Sequence, residues 1–333
     1  MSFQKPGSSL PAIITLSSTE AAAGLLRGLL VALPTETVYG LGANALDETA
    51  VASIFKAKNR PSFDPLIIHQ STAERILKYA AEIPPAAQKL ANTCWPGPLT
   101  LVLTKKDIVP DLVSAGLKTV ALRVPDHPLT REVLDLVDFP VAAPSANPFG
   151  FVSPTSAQHV VDQLGDKIDF ILDGGPCRVG LESTIVGFPD GVPTVLRKGG
   201  LSIETIEEIL GQPVAIKTHS SSRPDAPGML SKHYSPGVKM QVIDTQVADF
   251  EYPPNSALIT FGSKSASLDH KNTGPDVYDL SPERDVKVAA ANLFQVLRTI
   301  GKKQYDFVGV VLLPEVGLGR AINDRLRRAA ATE

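Results

Sequence analysis

Only two cysteines, Cys94 and Cys177, occur in the 333 residues, and no zinc or redox spacing joins them. A reducing compartment with both thiols as small core residues is the simplest reading, a single disulfide between them the other. No stretch approaches the roughly 20 apolar residues of a membrane span. The N-terminus, MSFQKPGSSLPAIITL, lacks a basic start followed by a long apolar run, so no membrane association and a cytoplasmic location are expected. Basic residues are outnumbered by acidic ones, 32 against 35, for a net charge of −3. Nonspecific nucleic-acid affinity rests on many Lys and Arg contacts to phosphates, so tight direct nucleic-acid binding is not expected. Walker and GxGxxG loops, internal repeats and a Ser, His and Asp spacing for covalent nucleophilic catalysis are missing too. So is the dense carboxylate cluster of a dedicated protein metal cage.

What is present is the balance of a globular chain, 43% hydrophobic and 20% charged, and a length that favours two domains over one core. From residue 12 to about 210, β-rich runs such as LLVALPT, PLIIH, LTLVLT, TVALRVP, STIVGF and PTVLRKGG alternate with helical periods such as DETAVASIFKAKN, HPLTREVLDLV and SIETIEEILG. Several of these open on an Asp, Ser or Thr N-cap. A mixed α/β layer fold is predicted. Residues 212–237, QPVAIKTHSSSRPDAPGMLSKHYSPG, break the pattern and read as an interdomain linker. Connections beyond about 12 to 15 residues without secondary structure are usually functional or disordered. Met229, His233 and Tyr234 give this one residues that pack or bind, and order against something is expected. Beyond it, strands at KMQVID, SALITFG, DVYDL and FVGVVLLP and helices at DVKVAAANLFQVLRTIGKK and AINDRLRRAAA predict a small parallel sheet wrapped by helices. The expected organisation is a domain at 1–211, a linker at 212–237 and a second domain at 238–333.

Four segments carry candidate chemistry. PTETVYGLGANA puts Thr35 and Thr37 beside Gly40 and Gly42, where backbone can approach a ligand closely; a tight strand-to-helix turn is the plainer reading. FKAKNRPSFDPLIIH gathers Lys56, Lys58 and Arg60 before a helix-ending proline, then reaches His69. The cations can converge on one anion or sit on a solvated helix end. Arg123 stands in an otherwise apolar strand and needs a partner, either a ligand carboxylate or phosphate or a structural Asp or Glu. Ser145, Asn147 and Ser153 follow the next apolar strand. Finally, Glu182, Ser183 and Thr184 head one strand and Arg197 and Lys198 end the next, so a hairpin across PDG would bring their polar ends to one rim.

In order, these segments with WPGPLTLVL, ALRVPDHP, APSANPFGFVSPT and DGG resemble the YrdC domain of the Sua5/YrdC family of threonylcarbamoyl-AMP synthases, over nearly all of residues 12–210. APGMLSKHYSP and GLGRAINDRLRRA are similar to the linker and C-terminal domain of its Sua5 type. The resemblance implies an α/β protein with a YrdC-like twisted mixed sheet and flanking helices, plus a smaller Rossmann-like α/β C-terminal domain. It implies a nucleotidyltransferase that makes threonylcarbamoyl-AMP and pyrophosphate from L-threonine, bicarbonate or CO2, and ATP. A separate tRNA threonylcarbamoyl transferase complex would then use the product for N6-threonylcarbamoylation of an adenosine in tRNAs reading codons that begin with A. Mg2+ would come with ATP, and no organic cofactor is implied.

By the same matching, Lys58, Arg60, Ser145 and Asn147 would hold the phosphates and adenylate, Lys58 and Arg60 as the catalytic cations. Thr119, Ser153 and Arg197 would add nucleotide contacts, and Tyr234 would close over them. Thr35, His69, Arg123 and Ser183, with backbone at Ala143, would hold threonine, Arg123 on its carboxylate. Charge stabilisation is the implied catalytic device, with no general base named. Many family members read Asp-Asn-Pro where this chain has Phe63, Asp64 and Pro65, so no contact is assigned to Ser62 or Asp64. Two other readings compete. Hydrogenase maturation factors built on the same domain carry acylphosphatase and zinc-finger regions before it, where this chain has residues 1–11. A pure RNA-binding module would want interleaved aromatic and basic stripes that are not found.

Overall fold

The computed structural model describes residues 11–218, 226–227, 233–243, 250–262 and 274–331; Met229 lies outside them. Its larger sheet contains β1 (Ile13–Thr15), β2 (Val31–Leu33), β3 (Gly40–Asn44), β4 (Ile67–His69), β5 (Leu99–Thr104), β6 (Thr119–Arg123), β7 (Val141–Ala142), β8 (Phe170–Leu172), β9 (Thr184–Gly187), β10 (Thr194–Arg197) and β11 (Ala215–Ile216). They run side by side in the order β1-β8-β2-β3-β7-β4-β6-β5-β9-β10-β11. Pairing is mixed: β4 is parallel to β6 but antiparallel to β7, and β5 is parallel to β9 but antiparallel to β6. Flanking this twisted sheet are α1 (Ser18–Leu26), α2 (Glu48–Lys58), α3 (Ala73–Leu77), α4 (Pro85–Cys94), α5 (Asp111–Ser114), α6 (Pro128–Leu136), α7 (Ala157–Leu164) and α8 (Ile203–Leu210). Covered on both faces, β2, β4, β9 and β10 are buried along their whole length. That is why the sequence shows continuous apolar runs there and no alternation. The C-terminal part is a four-stranded parallel sheet, β12 (Met240–Val242), β13 (Ser256–Thr260), β14 (Asp276–Asp279) and β15 (Phe307–Val310), in the order β12-β15-β13-β14, with α9 (Val286–Lys303) and α10 (Gly319–Ala329).

The hairpin across PDG forms, β9 against β10. β3 is the main departure from expectation. GLGAN reads as a turn but is a strand antiparallel to β2, with Gly42 opposite Val31. The glycines that lower its strand propensity are what the packing demands, since a Cβ at Gly42 would stand 3.0 Å from the Val31 carbonyl oxygen. The Ala-rich α1, capped by the Ser17 hydroxyl on the Glu20 N–H, also lacks a sequence period strong enough to announce it. Both cysteines are free, and burial pushes the Cys177 thiol up to about 12. Among the described residues no helix is long and apolar enough to cross a membrane.

The two sheets share packing. Val38, Val152 and Leu181 belong to the same apolar cluster as Phe294, Leu297 and Leu326 of the C-terminal part. Gly180, at φ 72°, lies so close to α9 that a Cβ there would meet the Ala291 Cα at 2.5 Å.

Candidate active site

His69 ends β4 and Arg123 ends β6, and the two are in register, with Val141 of β7 opposite His69 on its other side. Ligands in open α/β sheets lodge in the crevice beyond such carboxyl ends. Here the crevice has two lobes that share Val38, His69, Arg123, Ala143 and Ser145 as a common wall. The outer lobe, about 560 Å³ with the solvent at its mouth, is walled by Arg60, Asp64, Glu182, Arg197, His233 and Tyr234. The inner lobe, about 360 Å³, is lined by Leu33, Thr35, Thr130, Leu134 and Val141.

Each cation is held from behind. α2 starts on an Asp47 N-cap and ends at Asn59 in a left-handed conformation, which fixes the two residues flanking that bend. Lys58, on the last turn, donates its ammonium to the carbonyls of Ser145, at 2.6 Å, and Asn147. Its own carbonyl accepts the Phe149 N–H at 2.8 Å, so the 145–149 loop is tied to α2 twice. Burial, reinforced by the Arg60 charge, pushes the Lys58 ammonium well below its ordinary value. Arg60 pairs with Asp64 at 2.9 Å and donates to the carbonyls of Asp64 and Pro65. Arg197 grips the Ser183 carbonyl with Nε and Nη2 at 3.1 and 3.0 Å, and Nη1 reaches the Pro227 carbonyl in the linker at 3.3 Å. Burial lowers its guanidinium to about 10. A Cβ at Gly199 would stand 2.3 Å from the Glu182 carbonyl oxygen, so the glycine after β10 is what lets these strands close on each other.

Arg123, buried in its apolar strand, finds its partner within the chain. Nη2 donates to Glu36 Oε1 at 2.8 Å and to the Thr37 hydroxyl at 2.9 Å, and Nε to the Gly97 carbonyl at 3.3 Å. The other Glu36 oxygen accepts the Asp126 N–H at 3.0 Å. Glu36 lies between the two threonines that the sequence singles out and carried no signal of its own there.

Of the residues expected at the site, Thr35, Arg60, His69, Arg123, Ala143, Ser145, Arg197 and Tyr234 line the two lobes. Lys58, Asn147, Ser153 and Ser183 stand buried behind the wall: Ser153 donates to Glu182 at 2.6 Å, and Ser183 shares a hydrogen bond with Thr100 at 2.7 Å. Thr119, at the start of β6, lies roughly 13 Å along the strand from Arg123, in a separate cleft with Val102, Phe188 and Leu196. A buried apolar strip of Ile67, Ala121, Val102, Ile185 and Leu196 connects the two clefts, and Ala226 of the linker packs on it. Several polar atoms at the site have no partner among the described residues: Asp64 Oδ1, His69 Nδ1, Asn147 Oδ1 and His233 Nδ1. Buried polar groups are costly unless bonded, which makes those of Asp64, His69 and His233, on the lobe walls, candidates to meet a ligand. Burial and the adjacent Arg123 lower His69 to about 3, which keeps its imidazole neutral.

Sequence reasoning named Glu182 among the polar strand ends and His233 as a linker residue able to pack or bind, without a ligand for either, and gave Asp64 and Arg325 no role. Glu182, His233 and Asp64 wall the outer lobe. Arg325 of α10 binds Glu182 with Nε and Nη2 at 3.2 and 3.0 Å from 143 residues away, a separation no local pattern reveals.

Comparison with known proteins follows the same two parts. A family model for the Sua5, YciO and YrdC proteins, described as "Telomere recombination", matches residues 24–199. A second, described as "Threonylcarbamoyl-AMP synthase, C-terminal domain", matches residues 201–331. The threonylcarbamoyl-AMP synthase of Pyrococcus abyssi is 42% identical over 93% of this chain and 93% of its own. That of Bacillus subtilis is 38% identical over 93% and 92%. The crystal structure of P. abyssi Sua5 complexed with L-threonine superposes with a TM-score of 0.84 at 38% identity, covering 96% of this chain and 97% of that one.

Proposed function

Since the chain belongs to the Sua5/YrdC family, we propose that it is a threonylcarbamoyl-AMP synthase of the nucleotidyltransferase class. It joins L-threonine, bicarbonate or CO2, and ATP, and releases pyrophosphate. The observation that carries this reading is the two-lobed cleft: a small lobe of mixed apolar and hydroxyl lining opens, past Arg123 and His69, into a larger one walled by arginines.

Threonine takes the inner lobe. Its carboxylate meets Arg123, whose Nη1 makes no hydrogen bond among the described residues, and its hydroxyl and amine lie among Thr35, His69 and the backbone at Ala143. At the junction of the lobes the neutral amine adds to CO2 and releases a proton to solvent, or condenses with bicarbonate and releases water, giving a carbamate in either case. A carbamate oxygen then attacks the α-phosphorus of ATP in the outer lobe, the bond to the β,γ-unit breaks, and pyrophosphate leaves. Arg60 and Arg197 neutralise charge on the phosphates, and Lys58 acts by fixing the 145–149 loop beside them. Alignment and charge neutralisation supply the bulk of such a reaction. The base lies along the apolar strip towards Thr119, which requires the linker at Ala226 to lift and close again over the nucleotide, with Tyr234 at its end.

Mg2+ would enter with ATP and offset phosphate charge. Glu182 and Asp64 are each already engaged by an arginine, and among the described residues no group of three or more His, Cys, Asp or Glu could hold a metal. That donor set fits an ion carried mainly by phosphates and water, with Asp64 Oδ1 as the protein oxygen to reach it. The product would pass to a separate tRNA threonylcarbamoyl transferase complex in the cytoplasm. Incubating the protein with ATP, Mg2+, bicarbonate and L-threonine should release pyrophosphate; release that persists without threonine or without bicarbonate would sink the assignment.

A further inference from the structure

The helix that closes the C-terminal part, α10, is bonded to the catalytic part at both ends. At its start, the Gly317 N–H donates to Glu204 Oε1 of α8 at 3.3 Å, and Arg320 pairs with the same oxygen at 3.3 Å. A carboxylate at that position also complements the helix dipole. Near its end, the fully buried guanidinium of Arg325 grasps Glu182 Oε2 with two nitrogens and gives its third to the Lys198 carbonyl at 2.6 Å and to Asp324 at 3.0 Å. Glu182 in turn accepts the Ser153 hydroxyl on its other oxygen at 2.6 Å, and its own backbone leads into Ser183, which Arg197 grips. Arg325 also stacks under the Tyr234 ring at 5.3 Å, whose other neighbours are His233 at 4.1 Å, Phe294, stacked at 5.5 Å, and Arg328 at 5.1 Å.

We infer that Arg325 is a positioning residue for the nucleotide: it neutralises Glu182, a carboxylate that faces the phosphate lobe beside Arg197, and it fixes Ser153 and Tyr234 around that carboxylate. The C-terminal part thereby supplies a side chain on which the geometry of the catalytic site depends. Without it, Glu182 would lose its one directly paired cation, keep only the Ser153 hydroxyl and the field of Arg197, and as an under-compensated buried charge repel the nucleotide polyphosphate. The inner lobe touches neither residue, so threonine should hardly notice the loss.

The inference rests on the outer lobe being the ATP site. Its test uses the full chain, with circular dichroism to confirm that each variant is folded, and calorimetry with ATP and separately with L-threonine. Arg325→Met should weaken ATP binding by roughly 10- to 100-fold and leave threonine affinity within about twofold. Adding Glu182→Gln to Arg325→Met should restore a large part of the ATP affinity, a rescue that general structural damage cannot produce. Unchanged ATP affinity in Arg325→Met would overturn the inference, as would an equal loss for both ligands with no rescue in the double variant. Failure of the functional reading shows elsewhere, in an unaltered chain that binds ATP yet releases no threonine-dependent pyrophosphate. An unaltered chain that binds no ATP overturns both.

Discussion

The two lobes meet at one wall yet are built on opposite principles. The inner lobe is mostly fixed side chains of the sheet and α6, with its single charge, Arg123, braced on one side by Glu36. The outer lobe is an assembly of three separate parts, α2 with its following loop, the β9–β10 hairpin, and the linker with α10. Its cations are held largely by backbone carbonyls. A rigid pocket of fixed charge suits a small amino acid whose shape must be recognised. An assembled one, with arginines braced by carbonyls and oriented inward, suits a polyphosphate that must enter, react and leave in two pieces.

The sharpest blow to that contrast falls on the shared wall. Arg123→Ala strands Glu36 as a buried unpaired carboxylate and should cost about 3–5 kcal/mol of stability. In the fraction that stays folded, threonine binding should fall far more than ATP binding by calorimetry. Equal loss of both would mean that the wall does not divide the ligands. Next, Arg197→Met removes a cation whose hydrogen bonds run to carbonyls and a hydroxyl, and Glu182, which it also stabilises through space, keeps its direct partner Arg325. The substitution should lower ATP affinity by about 2–3 kcal/mol, on the order of 100-fold, with threonine little changed. The smallest effect separates the lobes by pH. Burial raises the Glu182 carboxyl, but Arg325, Arg197 and Ser153 outweigh it and hold it at about 2 against an ordinary 4.5. Its stabilising contribution is therefore full above about pH 4.5 and disappears as pH falls towards 2. His69, lowered to about 3 from 6.5, has the unfolded chain taking up a proton first, so its contribution erodes from about pH 6.5 downward. Melting temperatures of Glu182→Gln and His69→Gln against pH should converge on the unaltered protein over about pH 4.5 to 2 and about pH 6.5 to 3, the His69 effect setting in about two pH units earlier.

How much of this was legible depended on the range of each interaction. Arg123 announced its need for an anion because an arginine in TVALRV has no water to turn to, but its partner sits on a loop 87 residues earlier, and the sequence pointed past Glu36 to the threonines on either side. The α/β alternation, the hairpin and the parallel C-terminal sheet were readable from apolar runs and turn residues. β3 was not, because its glycines meet a requirement of its neighbours and contradict its own propensity. Lys58 and Arg60 were visible as a cluster, whereas only the left-handed bend at Asn59 between them sends one behind the wall and the other into the cleft. Arg325 looked like one more basic residue of the last helix.

The close approach of Gly180 to α9 bears on how such a chain can change over evolutionary time. With the Ala291 backbone 2.5 Å from where a side chain would begin, even a methyl group at Gly180 forces the two halves apart. The halves are therefore poor candidates for modular exchange. A C-terminal part grafted from a distant relative would have to run its helix backbone along the same line past Gly180, or the shared seam under Val38, Val152 and Leu181 would open.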